Sequence, residues 1–115
     1  MMVVVGIWIA GAAGAVSRYL ISGWVHQFVR VDFPLGTLAV NLAGSLGLGL
    51  IAGTDPLEST LVVLAVGFLG GFTTFSTLMI ETIRLGLNSP RTFLNLTVSV
   101  IGGLALAAVG YTLTS

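Results

Sequence analysis

Residues 67–78 read GFLGGFTTFSTL, setting Thr73, Thr74, Ser76 and Thr77 around the ring of Phe75, just after the pair Gly70 and Gly71. Hydroxyls donate hydrogen bonds without carrying charge. An aromatic ring is electropositive at its edge. Adjacent glycines weaken a helix, and an unwound helix frees backbone carbonyls that can hold an ion. Other uncharged polar residues recur one helical turn apart: Thr37, Asn41 and Ser45, then Asn95 and Ser99. Donors without fixed charge suit a small anion better than a metal cation. The competing use of each hydroxyl is a bond to its own helix, to the carbonyl four residues back. The amide of Asn41 is harder to hide in that way.

The elements that position these groups follow from composition. Of 115 residues, 56% are hydrophobic and 7% charged, against about 25% charged in a soluble domain. Such a chain cannot cover a water-facing surface, so it reads as an all-α integral membrane protein. There is no cysteine, net charge is zero, and the single histidine and four carboxylates are scattered. Thiol chemistry, nucleic-acid binding and metal-activated hydrolysis are therefore not expected, and neither is an enzyme of another kind. A span needs roughly 20 apolar residues. Residues 33–54, 59–80 and 92–115 are uncharged runs of that size; a further one opens the chain and tolerates Arg18. No positive region precedes that first run, as a cleaved signal would require. The expectation is one membrane domain of four spans, about 2–28, 34–53, 58–83 and 91–113, the third broken between Gly70 and Thr74. RVDFP (30–34), GTDPLE (53–58, Pro56 opening the third span) and RLGLNSPR (84–91) are the connectors.

Glycine makes up 16 of the residues, twice the usual ~7%. Small residues recur four apart at Gly6, Ala10 and Gly14, at Gly49 and Gly53, and at Gly103 and Ala107. In lipid, where apolar surface gains little from association, such stripes let helices approach closely. Four short helices hardly enclose a pore, so an oligomer is expected. Arg18 costs a few kcal/mol (about 2.5–3.5) at mid-membrane; it either snorkels to the interface or concentrates anions at a vestibule. Glu81 reads as pairing with Arg84 or with a partner subunit, and Trp24 and His26 as interfacial.

GAVSRY (14–19), PLGTLAVNLAGS (34–45), GGFTTFST (70–77) and NLTVSVIGGL (95–104) follow one another across nearly the whole chain. In that order they resemble the Fluc (CrcB) family of fluoride channels. The resemblance implies passive fluoride export and fluoride resistance at the cell's inner (plasma) membrane. It implies an antiparallel dual-topology dimer with two fluoride pathways and a structural Na+ at its centre. The ion pathway would involve Arg18, Thr37, Asn41, Phe75, Ser76, Thr77, residue 78 and Ser99. The sodium ligands would be the backbone carbonyls of Gly70 and Thr73, and Glu81 would be the carboxylate that follows the motif. The family's TTFSTF ends in a second phenylalanine; here Leu78 stands instead, with no electropositive edge.

Charge bears on the partner. The side holding both termini and residues 53–58 carries no Lys or Arg, whereas Arg30, Arg84 and Arg91 lie on the other. That bias favours termini outside. A chain that inserts both ways needs no bias, so the second subunit is either identical or a paralogous chain of opposite bias. Two rivals remain. A small multidrug-resistance-type transporter would want a carboxylate in the first span, which has none. A non-transporting assembly subunit would use the polar residues only to bond helices together.

Overall fold

The computed structural model describes residues 1–28, 33–54 and 59–115. The described chain is helical: α1 (Met2–Phe28), α2 (Leu35–Ala52), α3 (residues 59–72), α4 (Ser76–Leu85) and α5 (Pro90–Thr114). Four stretches are long and apolar enough to cross a membrane: α1, α2, α3 with α4, and α5. Pro56 and most of the RVDFP turn lie outside the described residues.

The connector before α5 shows why the chain turns where it does. Gly86 takes φ 95°, a region that L side chains avoid, and its amide bonds the carbonyls of Thr82 and Ile83 to end α4. Ser89 then caps α5 by accepting the Arg91 amide, with Pro90 in the first turn. The Thr92 hydroxyl donates back to the Gly86 carbonyl, tying the turn to the new helix.

Among the described residues the buried apolar side chains larger than glycine are only Pro34, Val40, Phe72 and Leu78. A water-soluble fold could not stand on so little. Here lipid solvates the outward aromatics and aliphatics, and helices meet through backbone instead. A Cβ on Gly14 would strike the Phe68 carbonyl oxygen, and one on Gly71 the Gly11 carbonyl oxygen, so α1 lies directly on α3. On the far side a Cβ on Gly49 would strike the Ala107 carbonyl oxygen, and one on Gly110 would come within 2.6 Å of the Leu46 oxygen. The second half of α5 is thereby pressed along α2.

The third span departs from the simple reading of its glycines. Gly70 is helical (φ −62°, ψ −40°), and Gly71 stays in the same turn. The backbone leaves helical geometry later, at Thr73 (φ −83°, ψ 158°); Phe75 is back in the helical region (φ −89°, ψ −36°) and the next helix begins at Ser76. Gly71 serves close approach rather than unwinding. Upstream, Val63–Leu69 widens into a π-helix, and Val98–Gly102 does the same in α5. Nothing in the periodicity signals either.

Candidate functional site

The geometry between Phe72 and Ser76 is set by one side chain. Asn41, on α2, lays its amide along the Thr74 peptide: Nδ2 donates to the Thr74 carbonyl at 2.9 Å, and the Thr74 amide donates to Oδ1 at 2.8 Å. Asn41 is thus not an idle donor waiting for an ion; it is first a clamp. Nδ2 has a second N–H, and Asn41 lies on the wall of a cavity.

The clamp has a consequence for the carbonyls upstream. In an α-helix the Thr74 amide would bond the Gly70 carbonyl, and the Thr77 amide the Thr73 carbonyl. The first donates to Asn41 and the second to the Thr74 hydroxyl at 3.2 Å. Both carbonyls lose their regular helical donors. Gly44 keeps the space: a Cβ there would strike Thr73 Cγ2. The Gly71 carbonyl receives Arg18 Nε at 3.2 Å, so the arginine of α1 is spent on this interruption instead of simply snorkelling.

Two cavities flank it. The first, about 360 Å³, is lined by Asn41, Gly70, Thr73, Phe75, Leu78 and Ser99, among others. Phe75 is 71% exposed, and Leu78 is buried. The Ser99 hydroxyl is buried without a hydrogen-bond partner. The second, about 530 Å³, is lined by Arg18, Ser22, His26, Thr37, Thr74 and Thr77 together with Tyr19, Leu20 and Gly23. Thr74 lies on both walls. Its hydroxyl also meets those of Ser76 and Thr77, at 3.4 and 3.3 Å.

The residues expected from sequence are therefore divided. Asn41, Gly70, Thr73, Phe75, Leu78 and Ser99 share one cavity; Arg18, Thr37 and Thr77 share the other. Ser76 is exposed and lines neither. Glu81 sits behind Thr37, whose hydroxyl donates to Oε2 at 3.0 Å, while Oε1 is buried without a partner. Arg84 lies only within charge–charge range of it. Ser45 takes the local option, donating to the Asn41 carbonyl four residues back at 2.8 Å. So do Thr73 and Thr82, to Leu69 and Leu78.

Sequence reasoning set His26 aside as interfacial and did not use Ser22. Their spacing from Arg18, two successive steps of four, was the signal that placed them on one face. It paired Asn95 with Ser99, but not as a buried group: Asn95 is 1% exposed, and neither amide atom has a partner. Among the described residues no three His, Cys, Asp or Glu side chains cluster as metal ligands.

These observations define a class: a small four-span membrane protein whose third span is interrupted between two cavities, one walled by uncharged polar residues and the other by a lone arginine among them. The chain belongs to the CrcB family; the family described as "CrcB-like protein, Camphor Resistance (CrcB)" matches residues 5–111. It is 50% identical over 100 residues to "Fluoride-specific ion channel FluC 1" of Rubrobacter xylanophilus, covering 84% of this chain and 77% of that one. It is 43% identical over 118 residues to "Fluoride-specific ion channel FluC 1" of Bacillus anthracis, covering 96% and 85%. With "Fluoride-specific ion channel FluC" of Geotalea daltonii the identity is 50% over 91 residues, covering 74% and 73%.

Proposed function

We propose that this chain is a subunit of a fluoride-selective channel that gives passive fluoride export, and so fluoride resistance, across the cell membrane. The observation that carries the reading is the cavity beside the interrupted third span. Its wall includes Asn41 and Ser99, which carry neutral donors (the Ser99 hydroxyl has no partner), and the exposed ring of Phe75. Fluoride is small and holds its water tightly. A path that admits it must supply hydrogen bonds as the water leaves, and close walls then exclude larger anions. The ring edge of Phe75 adds a weak positive surface. Arg18, Thr37 and Thr77 line the vestibule from which the ion would come. The relatives named as fluoride-specific channels support the same reading.

A structural Na+ fits the donor set. Gly70 and Thr73 both line the cavity, and the amides that would normally engage their carbonyls bond elsewhere. Two released carbonyls suit a hard monovalent cation. Such an ion would fix the interruption and the place of Phe75 with it.

Two subunits packed antiparallel complete the proposal. A Cβ on Gly70 would meet nothing within 4 Å, and Phe75 is uncovered, so this wall has room for a second chain. The partner is either a second copy or a paralogous chain. The second reading rests on Arg30, Arg84 and Arg91 sharing one side and on Leu78 standing at a wall position where a ring would face the ion.

The test is reconstitution of this chain alone into liposomes, with efflux followed by a fluoride electrode and chloride as control. Rapid fluoride loss with chloride retained is the expected result. Fluoride flux only after adding an oppositely biased partner chain would select the paralogous pair. No fluoride flux in either case would overturn the channel reading.

A further inference from the structure

The hydroxyls on the vestibule wall are not equally free to serve an ion. Each has one O–H to donate. Thr37 gives its proton to Glu81 Oε2. Thr74 gives its own to Thr77 Oγ1 while accepting the Thr77 amide. Neither can turn to an anion without breaking a bond it already makes. Thr77 only accepts from Thr74, so its proton is uncommitted. Ser22 is freer still. It lines the same cavity, and its hydroxyl makes no hydrogen bond among the described residues. Ser45, Thr73 and Thr82 each donate to the carbonyl four residues back; Ser22 does not take that option. Its place is set by Gly36 at the start of α2, where a Cβ would strike Ser22 Oγ and come within 2.7 Å of the Ser22 carbonyl oxygen. The bare backbone at position 36 leaves room for this hydroxyl where α1 and α2 meet.

Resting on the channel reading above, we infer that Ser22 is a further ion-pathway residue, the neutral donor that takes fluoride beside Arg18 in the vestibule. Arg18 and Ser22 are four residues apart, on one face of α1 and about 6 Å from each other along its axis. Arg18 spends Nε on the Gly71 carbonyl, and its other N–H groups make no bond among the described residues. A guanidinium attracts any anion; the hydroxyl one turn away replaces one of the waters that fluoride must shed. Thr77, on the same cavity wall, supplies the next uncommitted proton on the way to the interruption. Tyr19 also lines this cavity but is 79% exposed. The sequence places Thr37 among the pathway residues, yet its proton is held by Glu81. The donor that the wall offers in its stead comes from α1.

The experiment is fluoride efflux from liposomes over a range of fluoride concentrations, with the monodisperse yield of each protein recorded. Ser22→Ala is expected to need about two- to tenfold more fluoride for half-maximal flux, the effect of losing one neutral hydrogen bond. Its yield should match wild type, because the Ser22 hydroxyl leaves no partner stranded when it goes. Ser22→Thr and Ser22→Val have nearly the same shape and differ in the hydroxyl, so the valine variant is expected to need more fluoride than the threonine one by the same factor. That pair reads the hydroxyl apart from the space it fills, whether or not the alanine variant folds well. An unchanged half-maximal concentration in Ser22→Ala, or equal values for the threonine and valine variants, would overturn the role of Ser22 while leaving the channel intact. Absence of fluoride flux in wild type at every concentration would remove the channel reading and this inference with it.

Discussion

Helix α2 is held on two sides, and the two seams are made of opposite materials. Against α5 it presents Gly49 to the Ala107 carbonyl and receives Gly110 against Leu46 and Leu50, backbone on backbone. That seam closes at its end with the Thr114 hydroxyl donating to the Leu50 carbonyl. Against the third span it presents Thr37, Asn41 and Gly44, and the contact is a set of hydrogen bonds to Glu81 and to the Thr74 peptide. The glycine seam uses up its contacts within itself. The polar seam diverts the Thr74 amide from its helical acceptor and places Asn41 and Thr37 on cavity walls. The first holds helices together and the second carries residues proposed to line the pathway, and a single helix bears both.

Substitutions can set the seams apart. The largest loss of folded protein is expected at Gly49→Ala, where the added methyl meets Ala107 Cα at 2.8 Å and its carbonyl closer still. Both are backbone, so neither can swing away. The expected cost is about 3 kcal/mol or more, read as collapse of the monodisperse yield in detergent. Gly23→Ala, with nothing within 4 Å, is the control that should leave yield unchanged.

Asn41→Leu should do the reverse of Gly49→Ala. It keeps the helix and its approximate volume but leaves the Thr74 amide and carbonyl unpaired. Each such group costs about 1–3 kcal/mol where water cannot reach it. The interruption should lose its fixed shape, and flux per folded protein should fall by about 100-fold, the equivalent of about 2.7 kcal/mol. Arg18→Gln comes next. It loses the charge in the vestibule while an amide can still reach toward the Gly71 carbonyl, and flux should drop about tenfold. The smallest effect belongs to Ser45→Ala. Its hydroxyl serves only its own helix, so both yield and flux should stay within about twofold of wild type. A large loss at Ser45, or a silent Asn41, would erase the distinction between the seams.

The same contrast explains what could be read before the fold was known. Span number and the connectors follow from uncharged run length, because the bilayer fixes how much apolar helix a crossing needs. The small-residue pairs of α1 and α2 were legible for a similar reason: in lipid, spacing by four is already a packing statement. The interruption was legible in outline, yet its cause was not. Gly70 and Gly71 drew attention as weak helix formers, but both remain helical, and the chain opens at Thr73 because Asn41, 33 residues from Thr74, competes for the peptide. No local pattern contains that contact. Thr37 with Glu81, 44 residues apart, is hidden in the same way. His26 was discounted as a residue near a span's end, and only the approach of α2 at Gly36 turns it toward a cavity.

The central claim is that the pathway runs through the wall that Asn41 clamps. The most direct measurement compares fluoride and chloride efflux from liposomes holding equal amounts of monodisperse wild type or Asn41→Leu. The account predicts rapid fluoride loss and retained chloride for wild type, and fluoride loss slowed about 100-fold in the variant. Equal fluoride loss from both proteins, or chloride leaving as fast as fluoride, would contradict it.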